Sequence, residues 1–330
     1  MRHAVIGAGA WGTALADVLA RNGHDVAIWA YETDVSESIT REHMNHRFLA
    51  DHSLATTLRA TSDIREALDG ADMVTFVAPS HVLRRVAASA ADAVAPGVPL
   101  VVATKGIEHG SLSIMTDVVA AELPERPVVA LSGPSFAAEV AARQPTAIVA
   151  ASEDSSVANA VQMSYSNETL RIYTHSDVTG VELGGALKNV MAVATGIGEG
   201  LGTGFNSRAA LITRGLAEMT RLGLALGADP ATFAGLAGMG DLVLTCTGAL
   251  SRNRAVGLEL GKGRLLKEIL AERETVAEGV TTTGSAYELA EREGVQMPIV
   301  TMVHRILFEG HSPRQAITDL MSRDLRSERD

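Results

Sequence analysis

Short apolar runs of strand length alternate with helix-period segments through the first half of the chain. "HAVIG", "DVAIWA", "MVTFVAP", "PLVVATKG", "PVVALSGP" and "TAIVAAS" each have strand length and β-branched content. Between most of them lie stretches such as "WGTALADVLARNG" and "HVLRRVAASAADAV", where apolar residues recur at three and four positions. Unbroken apolar strands between helices predict a mostly parallel sheet covered on both faces. After a last strand at "RIYTHS" the period changes. From about Asp177 onward "VELGGALKNVMAVATGIG", "RAALITRGLAEMTRLGLALG", "SRNRAVGLELG", "TGSAYELAEREG", "IVTMVHRILFEG" and "SPRQAITDLMSRDL" read as helices punctuated by Gly and Pro. The pattern predicts an α/β protein in which residues 1–178 form the sheet domain and residues 179–330 an all-helical C-terminal domain. The closing "SRDLRSERD" has mixed charge and predicts a frayed, solvated end.

Composition supports two packed domains and narrows the partners. The 330 residues are 46% hydrophobic and 20% charged, a globular profile with enough apolar mass for two cores. A formal charge of −11 disfavours non-specific attraction to nucleic acid or an anionic membrane, so an anionic ligand must find its cations locally. The single cysteine, Cys246, cannot form an internal disulfide, which fits a reducing compartment. No apolar run reaches bilayer length, and the opening "MRHAVIGAGAWGT" turns glycine-rich at once without a signal-peptide core. Together these features predict a cytoplasmic protein without stable membrane insertion.

Candidate chemistry begins at "VIGAGAWG", where Gly7, Gly9 and Gly12 follow an apolar strand, open a helix and precede a second strand. In such a βαβ unit the first glycine makes the tight turn, the second admits a pyrophosphate to the backbone, and the third lets helix and strand pack closely. The helix N-terminus supplies free N–H groups and partial positive charge. The sheet is therefore expected to be Rossmann-type, with a bound dinucleotide. About twenty residues on, Tyr31 and Glu32 stand where an acid would bind the ribose 2′-hydroxyl; a carboxylate there favours NAD(H) over NADP(H), unless Glu32 faces solvent. Lys105 in "VVATKGIE" and the run Ser132, Gly133, Pro134, Ser135 in "ALSGPSF" also fall at strand ends, facing the expected crevice; a solvated surface lysine is the lesser alternative for Lys105.

The second half adds a charge in an unexpected place. Lys188 lies in "LGGALKNVMAVATG" on a helix side with Gly184, Ala192 and Thr195, opposite an apolar stripe of Leu183, Leu187, Val190, Met191 and Ala194. The small side chains read as clearance for a ligand. Desolvation would lower the lysine pKa and make it a general base; alternatively its stem lies on apolar surface while its head reaches water. "GMGDLVLTC" sets Asp241 in a glycine-flanked loop, and "LSRNRAVG" offers Ser251, Arg252, Asn253 and Arg254 at a helix start. An arginine fork with hydroxyl and amide donors suits a phosphate, and simple capping by Ser251 is the other reading. Glu278 in "VAEGVTTTG" falls in a turn before a further helix. The scattered histidines and lone cysteine predict no metal site, and no Gly-x-Ser-x-Gly elbow is present.

These stretches together resemble the bacterial NAD(P)-dependent sn-glycerol-3-phosphate dehydrogenases. "GAGAWGTALA", "TKGIE", "LSGPSFAAEVA", "PTAIVAAS", "GVELGGALKNVMA", "NSRAALITRGLAEM", "GLAGMGDLVLTC", "SRNRAVG" and "VAEGVTT" occur in the family's order over nearly the whole chain. The resemblance implies that Lys188 is the proton acceptor and that Lys105 lies near both cofactor and substrate. It implies substrate contacts at Gly133, Ser135, Asp241, Ser251, Arg252 and Asn253. It further implies cofactor contacts at Trp11, Ala137, Arg252, Val276 and Glu278, beside the loop residues Gly7, Gly9, Ala10 and Gly12 and the strand-end pair Tyr31 and Glu32. The cofactor so implied is NAD(H), with NADP(H) open, the small-molecule substrate pair is glycerol 3-phosphate and dihydroxyacetone phosphate, and the assembly is a homodimer. Three departures stand out: Ala10 where the family often has Ser, Tyr31 where it often has a basic residue, and Phe205 in "GFN" where "GDN" is frequent. Another two-domain dehydrogenase of a hydroxy acid or phosphosugar acid, or a non-catalytic dinucleotide sensor, are the competing expectations.

Overall fold

The structure, a computed structural model, describes residues 1–273, 277–325 and 327–328. Its strands are β1 (Arg2–Ile6), β2 (Asp25–Trp29), β3 (Met44–Asn45), β4 (Leu49–Ser53), β5 (Arg59–Thr61), β6 (Met73–Phe76), β7 (Leu100–Val102), β8 (Val128–Ser132), β9 (Thr146–Ala151) and β10 (Leu170–His175). Among the described residues they form one eight-stranded sheet in the order β10-β9-β8-β7-β6-β1-β2-β5 and one small antiparallel pair, β3-β4. Every neighbouring pair in the large sheet is parallel except β8 and β9. The chain steps outward from β1 to β2 and then crosses back to lay β6 on the other side of β1. That reversal opens a crevice at the carboxyl ends of β1 and β6, the place where parallel sheets of this kind hold ligands.

All six apolar runs and "RIYTHS" are strands, and the sheet is Rossmann-type, followed among the described residues by helices alone. Missing from the sequence reading are β5 and the β3-β4 hairpin. Apart from the buried Leu49 their residues are polar or at least partly exposed, because β5 is a short edge strand and the hairpin lies outside the main sheet, so neither carries an apolar signature. The hairpin still matters to the crevice: the Asn45 amide donates to the Ala8 carbonyl (2.9 Å) and to Thr13 Oγ1 (2.8 Å), fastening it to the glycine loop.

The helical half is built around the helix Val178–Gly200, which follows β10 after two residues and is buried from Gly180 to Gly198 on all sides. This corrects the expected one-sided stripe. It also corrects the purpose of the small residues. A Cβ on Gly184 would stand 2.5 Å from the Ala237 carbonyl oxygen, and one on Gly196 2.1 Å from that of Arg254. Gly257 faces Val193 O at 2.1 Å in the same sense. The glycines therefore let the helix Arg252–Gly261 and the turn at Ala237 pack backbone to backbone against it, rather than leaving clearance for a substrate. The described residues of the terminal "SRDLRSERD" are exposed.

One buried group makes the Rossmann half acid-sensitive. His3 on β1 is fully buried, its ring 4.6 Å from that of His24, and neither of its nitrogens has a hydrogen-bond partner. Burial, reinforced by His24, lowers its pKa to about 4, so the unfolded chain binds a proton that the folded one refuses. The stability this carries is complete above pH 6.5 and is lost as pH falls towards 4, on the order of 3 kcal/mol across the window. Replacing His3 with Leu is expected to flatten the fall of the melting temperature between pH 6.5 and 4, as followed by calorimetry.

Candidate active site

Lys188 sits at mid-helix and is 8% exposed. Its Nζ lies 2.8 Å from Asp241 Oδ1 and donates to Thr245 Oγ1 at 2.8 Å. Lys105, just past β7, brings its Nζ to the other oxygen of the same carboxylate at 2.5 Å and donates to the Gly133 carbonyl at 3.0 Å. One buried carboxylate thus joins a lysine from the sheet domain to a lysine from the helical half.

Asp241 is not in a loop. A single π-helical turn, Leu236–Gly240, leads directly into the helix Asp241–Thr247, of which Asp241 is the first residue. The glycines that suggested a loop serve close packing instead: a Cβ on Gly238 would stand 2.2 Å from the Phe233 carbonyl oxygen. Because helical backbone continues from Leu236 through Gly240 into this helix, Asp241 is held inside a continuous helical run. Four residues on, the Thr245 hydroxyl donates back to the Asp241 carbonyl (2.7 Å) while accepting from Lys188.

The electrostatics follow from this geometry. Burial pulls the Lys188 pKa down to about 8, against the upward pull of Asp241 and with the help of the Lys105 charge. Burial pushes the Asp241 carboxyl up, but Lys105 and Lys188 outweigh it and hold the carboxyl below its ordinary value. Asp241 therefore stays charged while Lys188 is poised to trade its proton. Cys246, next in sequence to Thr245, is buried and its thiol is pushed up to about 11, chiefly by that burial, so it stays protonated.

The "SRNR" cluster divides its roles. Ser251 caps the helix Arg252–Gly261, its Oγ accepting from Arg254 N at 3.2 Å, so the capping reading describes what it does. Arg254 does not belong to a phosphate fork, because Glu199 engages it through both carboxylate oxygens at 2.9 and 2.8 Å. Arg252 is exposed and, among the described residues, has no ion-pair partner, which leaves its guanidinium for an anion. Asn253 is a brace: its amide donates to Asn189 Oδ1 at 2.8 Å and its Oδ1 accepts from Gly279 N at 2.9 Å.

On the sheet side, a Cβ on Gly12 would fall 1.9 Å from the Gly7 carbonyl oxygen, and Gly7 itself takes φ +121°. A Cβ on Gly9 would meet nothing within 4 Å. Gly9 is also the N-cap of the helix Ala10–Arg21, which has no side-chain cap. The loop is thus tight where helix meets strand and open at the helix N-terminus, which fits a pyrophosphate. Ala10 begins that helix, and Trp11 beside it has a buried Nε1 with no hydrogen-bond partner. Tyr31 is 78% exposed with its ring edge against Trp29, and Glu32 precedes the helix Thr33–Glu42 without making a capping bond.

Gly133 holds φ +139° where a Cβ would strike Ile148, and Ser135 Oγ donates to the Gly133 carbonyl at 3.0 Å, with Ala137 opening the next helix. Glu278 is the first residue of the helix Glu278–Arg292 rather than part of a turn. Its carboxylate reaches the sheet domain, accepting from Ser80 N (3.1 Å) and Ser80 Oγ (2.5 Å). Val276 lies outside the described residues. Thr245, Asn189 and Ser80 escaped the sequence reading. Thr245 could have been found four residues after Asp241 on a helix, and Asn189 as the neighbour of Lys188; nothing local marks Ser80. Among the described residues no group of three His, Cys, Asp or Glu side chains could hold a metal ion.

Comparison with known proteins gives the family. The model of the NAD-dependent glycerol-3-phosphate dehydrogenase N-terminus matches residues 3–158 and that of the C-terminus residues 177–318. The chain belongs to this family. A glycerol-3-phosphate dehydrogenase [NAD(P)+] of Geobacter sulfurreducens is 56% identical over 99% of both chains, and that of Myxococcus xanthus 52% identical over 99% of both. The crystal structure of glycerol-3-phosphate dehydrogenase from Coxiella burnetii superposes with a TM-score of 0.94 at 42% identity, covering 98% of this chain and 99% of that one. A ketopantoate reductase from Ralstonia eutropha shares the fold alone, at 18% identity and a TM-score of 0.64.

The shared carboxylate generates a test within this dehydrogenase. Asp241→Asn leaves two buried ammonium groups facing each other without their counter-charge, which is expected to cost about 3–5 kcal/mol of stability. It also removes the group that holds the Lys188 pKa up, so the ionisation near pH 8 in the pH–rate profile should move to lower pH. Thermal unfolding and kcat/KM profiles between pH 5 and 9 check both.

Proposed function

We propose that the crevice between the sheet and the helices is where this NAD(P)-dependent dehydrogenase interconverts sn-glycerol 3-phosphate and dihydroxyacetone phosphate, with Lys188 as general base and acid. The observation that carries the reading is the Lys105–Asp241–Lys188 cluster: a proton-exchanging amine with its pKa near 8, beside strand ends that fit a dinucleotide. A bound nicotinamide would supply the hydride acceptor for oxidation, or the donor for reduction, at C2 of the substrate. In oxidation, neutral Lys188 removes the C2 hydroxyl proton as the hydride leaves; in reduction, its ammonium returns that proton. Lys105 stands within reach of the developing oxyanion, Asp241 and Thr245 hold the Lys188 amine in place, and Arg252 takes the phosphate. Gly133, Ser135, Ser251 and Asn253 shape the wall against which the substrate lies. Gly7, Gly9, Ala10, Trp11, Gly12, Ala137 and Glu278 line the cofactor's path, which also runs past Lys105 and Arg252.

Residues 1–178 then act as the cofactor domain and residues 179–330 as the substrate domain. Glu32, just beyond β2, would accept from the ribose 2′-hydroxyl and repel a 2′-phosphate, so NAD(H) is the better cofactor and NADP(H) the weaker. The product serves phospholipid synthesis in the cytoplasm, and the working form is a homodimer. No single helix among the described residues is long and apolar enough to cross a membrane.

Oxidation of NADH in the presence of dihydroxyacetone phosphate is the direct assay; no turnover at high enzyme would sink the reading. Lys188→Ala is expected to lower kcat by about 10²–10⁴ while leaving NADH binding within about twofold, as read by nucleotide fluorescence. A dinucleotide sensor would show no such split. Because oxidation needs the neutral amine and reduction the charged one, the oxidation rate should rise with pH through about 8 and the reduction rate should fall across the same range. Separately, kcat/KM should favour NADH over NADPH, and Glu32→Ala should narrow that gap about tenfold, the loss of one charge repulsion.

A further inference from the structure

Glu182 lies on the helix Val178–Gly200, six residues before Lys188, and is only 7% exposed. Its carboxyl does not serve its own helix. It reaches into the sheet domain, where both oxygens accept from Thr116 N (3.1 and 3.2 Å) and one also accepts from the Thr116 hydroxyl. Thr116 is the second residue of the helix Met115–Glu122, whose own N-cap position holds Ile114 and offers no side-chain acceptor. Glu182 is thus the cap of that helix, supplied from the other domain.

The capped helix is not remote from the chemistry. Ile114 forms a bridge to Ile107, and Glu108 N donates to the Ser113 carbonyl at 2.9 Å, so the segment preceding Thr116 folds back on the loop that follows Lys105. Glu182 also lines one narrow void together with Lys105 and Ser132. One turn along the same helix, a Cβ on Gly185 would stand 2.5 Å from Ser132 Oγ and 3.5 Å from Lys105 Cδ, so helix and loop touch without slack. The two ammonium groups that meet on Asp241 are therefore carried by two bodies, and the Glu182–Thr116 contact holds those bodies together beneath them.

We propose that Glu182 is a positioning residue for the reaction: by capping the helix at Thr116 across the domain seam, it sets the separation between the Lys105 loop and Lys188, and so the alignment of both around the reacting carbon. The role is one of shape. Burial pushes the Glu182 carboxyl up to about 8, with Asp117 adding to the shift, so near neutral pH the group is largely uncharged and an amide should replace it. Lys105 is the cation that faces the same void, and its ammonium is already committed to Asp241 and Gly133. The inference rests on Lys105 and Lys188 acting at the substrate, as proposed above. An inactive wild type would overturn that reading, whereas an active wild type with an unimpaired Glu182→Ala overturns only this one.

The experiment compares Glu182→Ala, Glu182→Gln, Thr116→Val and Thr116→Ser in the full-length protein. A misplacement of about 1 Å costs on the order of 10²-fold in rate. Glu182→Ala and Thr116→Val should therefore lower kcat by about 10–100-fold with NADH affinity within about twofold. Both should raise the deuterium isotope effect on kcat, measured with NADH labelled at the transferred position, because hydride transfer becomes the slow step. Glu182→Gln and Thr116→Ser, which keep the acceptor and the hydroxyl, should recover most of the loss, and if Glu182→Ala does not fold, the Thr116 pair carries the test alone. Three results overturn the proposal: an unchanged kcat in Glu182→Ala and Thr116→Val, a failure of the conservative pair to recover it, or a loss confined to NADH binding and thermal stability with the isotope effect unmoved.

Discussion

Everything at this site depends on one carboxylate shared by two lysines. Asp241 is 1% exposed, and each of its oxygens meets an ammonium, Lys188 from the central helix and Lys105 from the end of a strand. Burying any of the three alone would be prohibitive; buried together they leave a small excess of positive charge in a protein whose overall charge is −11. That local excess is what the proposed binding of an acidic substrate by an acidic chain requires. The same arrangement tunes the chemistry. Desolvation lowers the Lys188 pKa and the neighbouring Asp241 raises it, and the balance is about 8, where the amine can both take and give.

Such tuning requires that the groups not drift, and the packing supplies the rigidity. Lys188 rides on a helix enclosed on every side, not on a loop, and its neighbours come within backbone distance because glycines face them. Gly196 with Gly200 on one helix, and Gly257 with Gly261 on the other, are each spaced four apart, so each pair lies on one face. A lysine held in this way needs few hydrogen bonds of its own. Thr245 and Asp241 fix its end, while the Asn189–Asn253–Gly279 chain ties two further helices to the adjacent turn of its own helix.

Much of this was legible before the fold was known, and the reasons differ by feature. Six strands announced themselves because a strand covered on both faces must be apolar throughout, whereas β10, at the sheet's edge, alternates buried and exposed residues. The edge strand Arg59–Thr61 and the hairpin beside the glycine loop carry no such signature, since water or a single polar anchor satisfies them. The glycine loop was readable because its three constraints are local, and Gly12 indeed has no room for a Cβ against Gly7. Asp241 misread as a loop residue is the converse: glycines flanking it looked like chain breaks, yet the backbone there is helical and the glycines admit neighbouring backbone. In "SRNR" the two arginines are indistinguishable by sequence, and only the position of Glu199 commits Arg254 and leaves Arg252 available.

By itself the sequence determined the features that depend on residues close along the chain: the alternation of strands and helices, the dinucleotide loop, the small-residue helix with its one lysine, and the family to which these motifs together point. The tertiary structure alone decided which groups meet. Lys105 and Asp241 are 136 residues apart, Glu278 and Ser80 198, and Glu182 and Thr116 66. A periodic pattern reports which face of an element is dry, because burial acts on each residue's own neighbours. It does not report which carboxylate will lie against which ammonium, because that follows from how separate elements pack, and the pKa of Lys188 is a property of that packing.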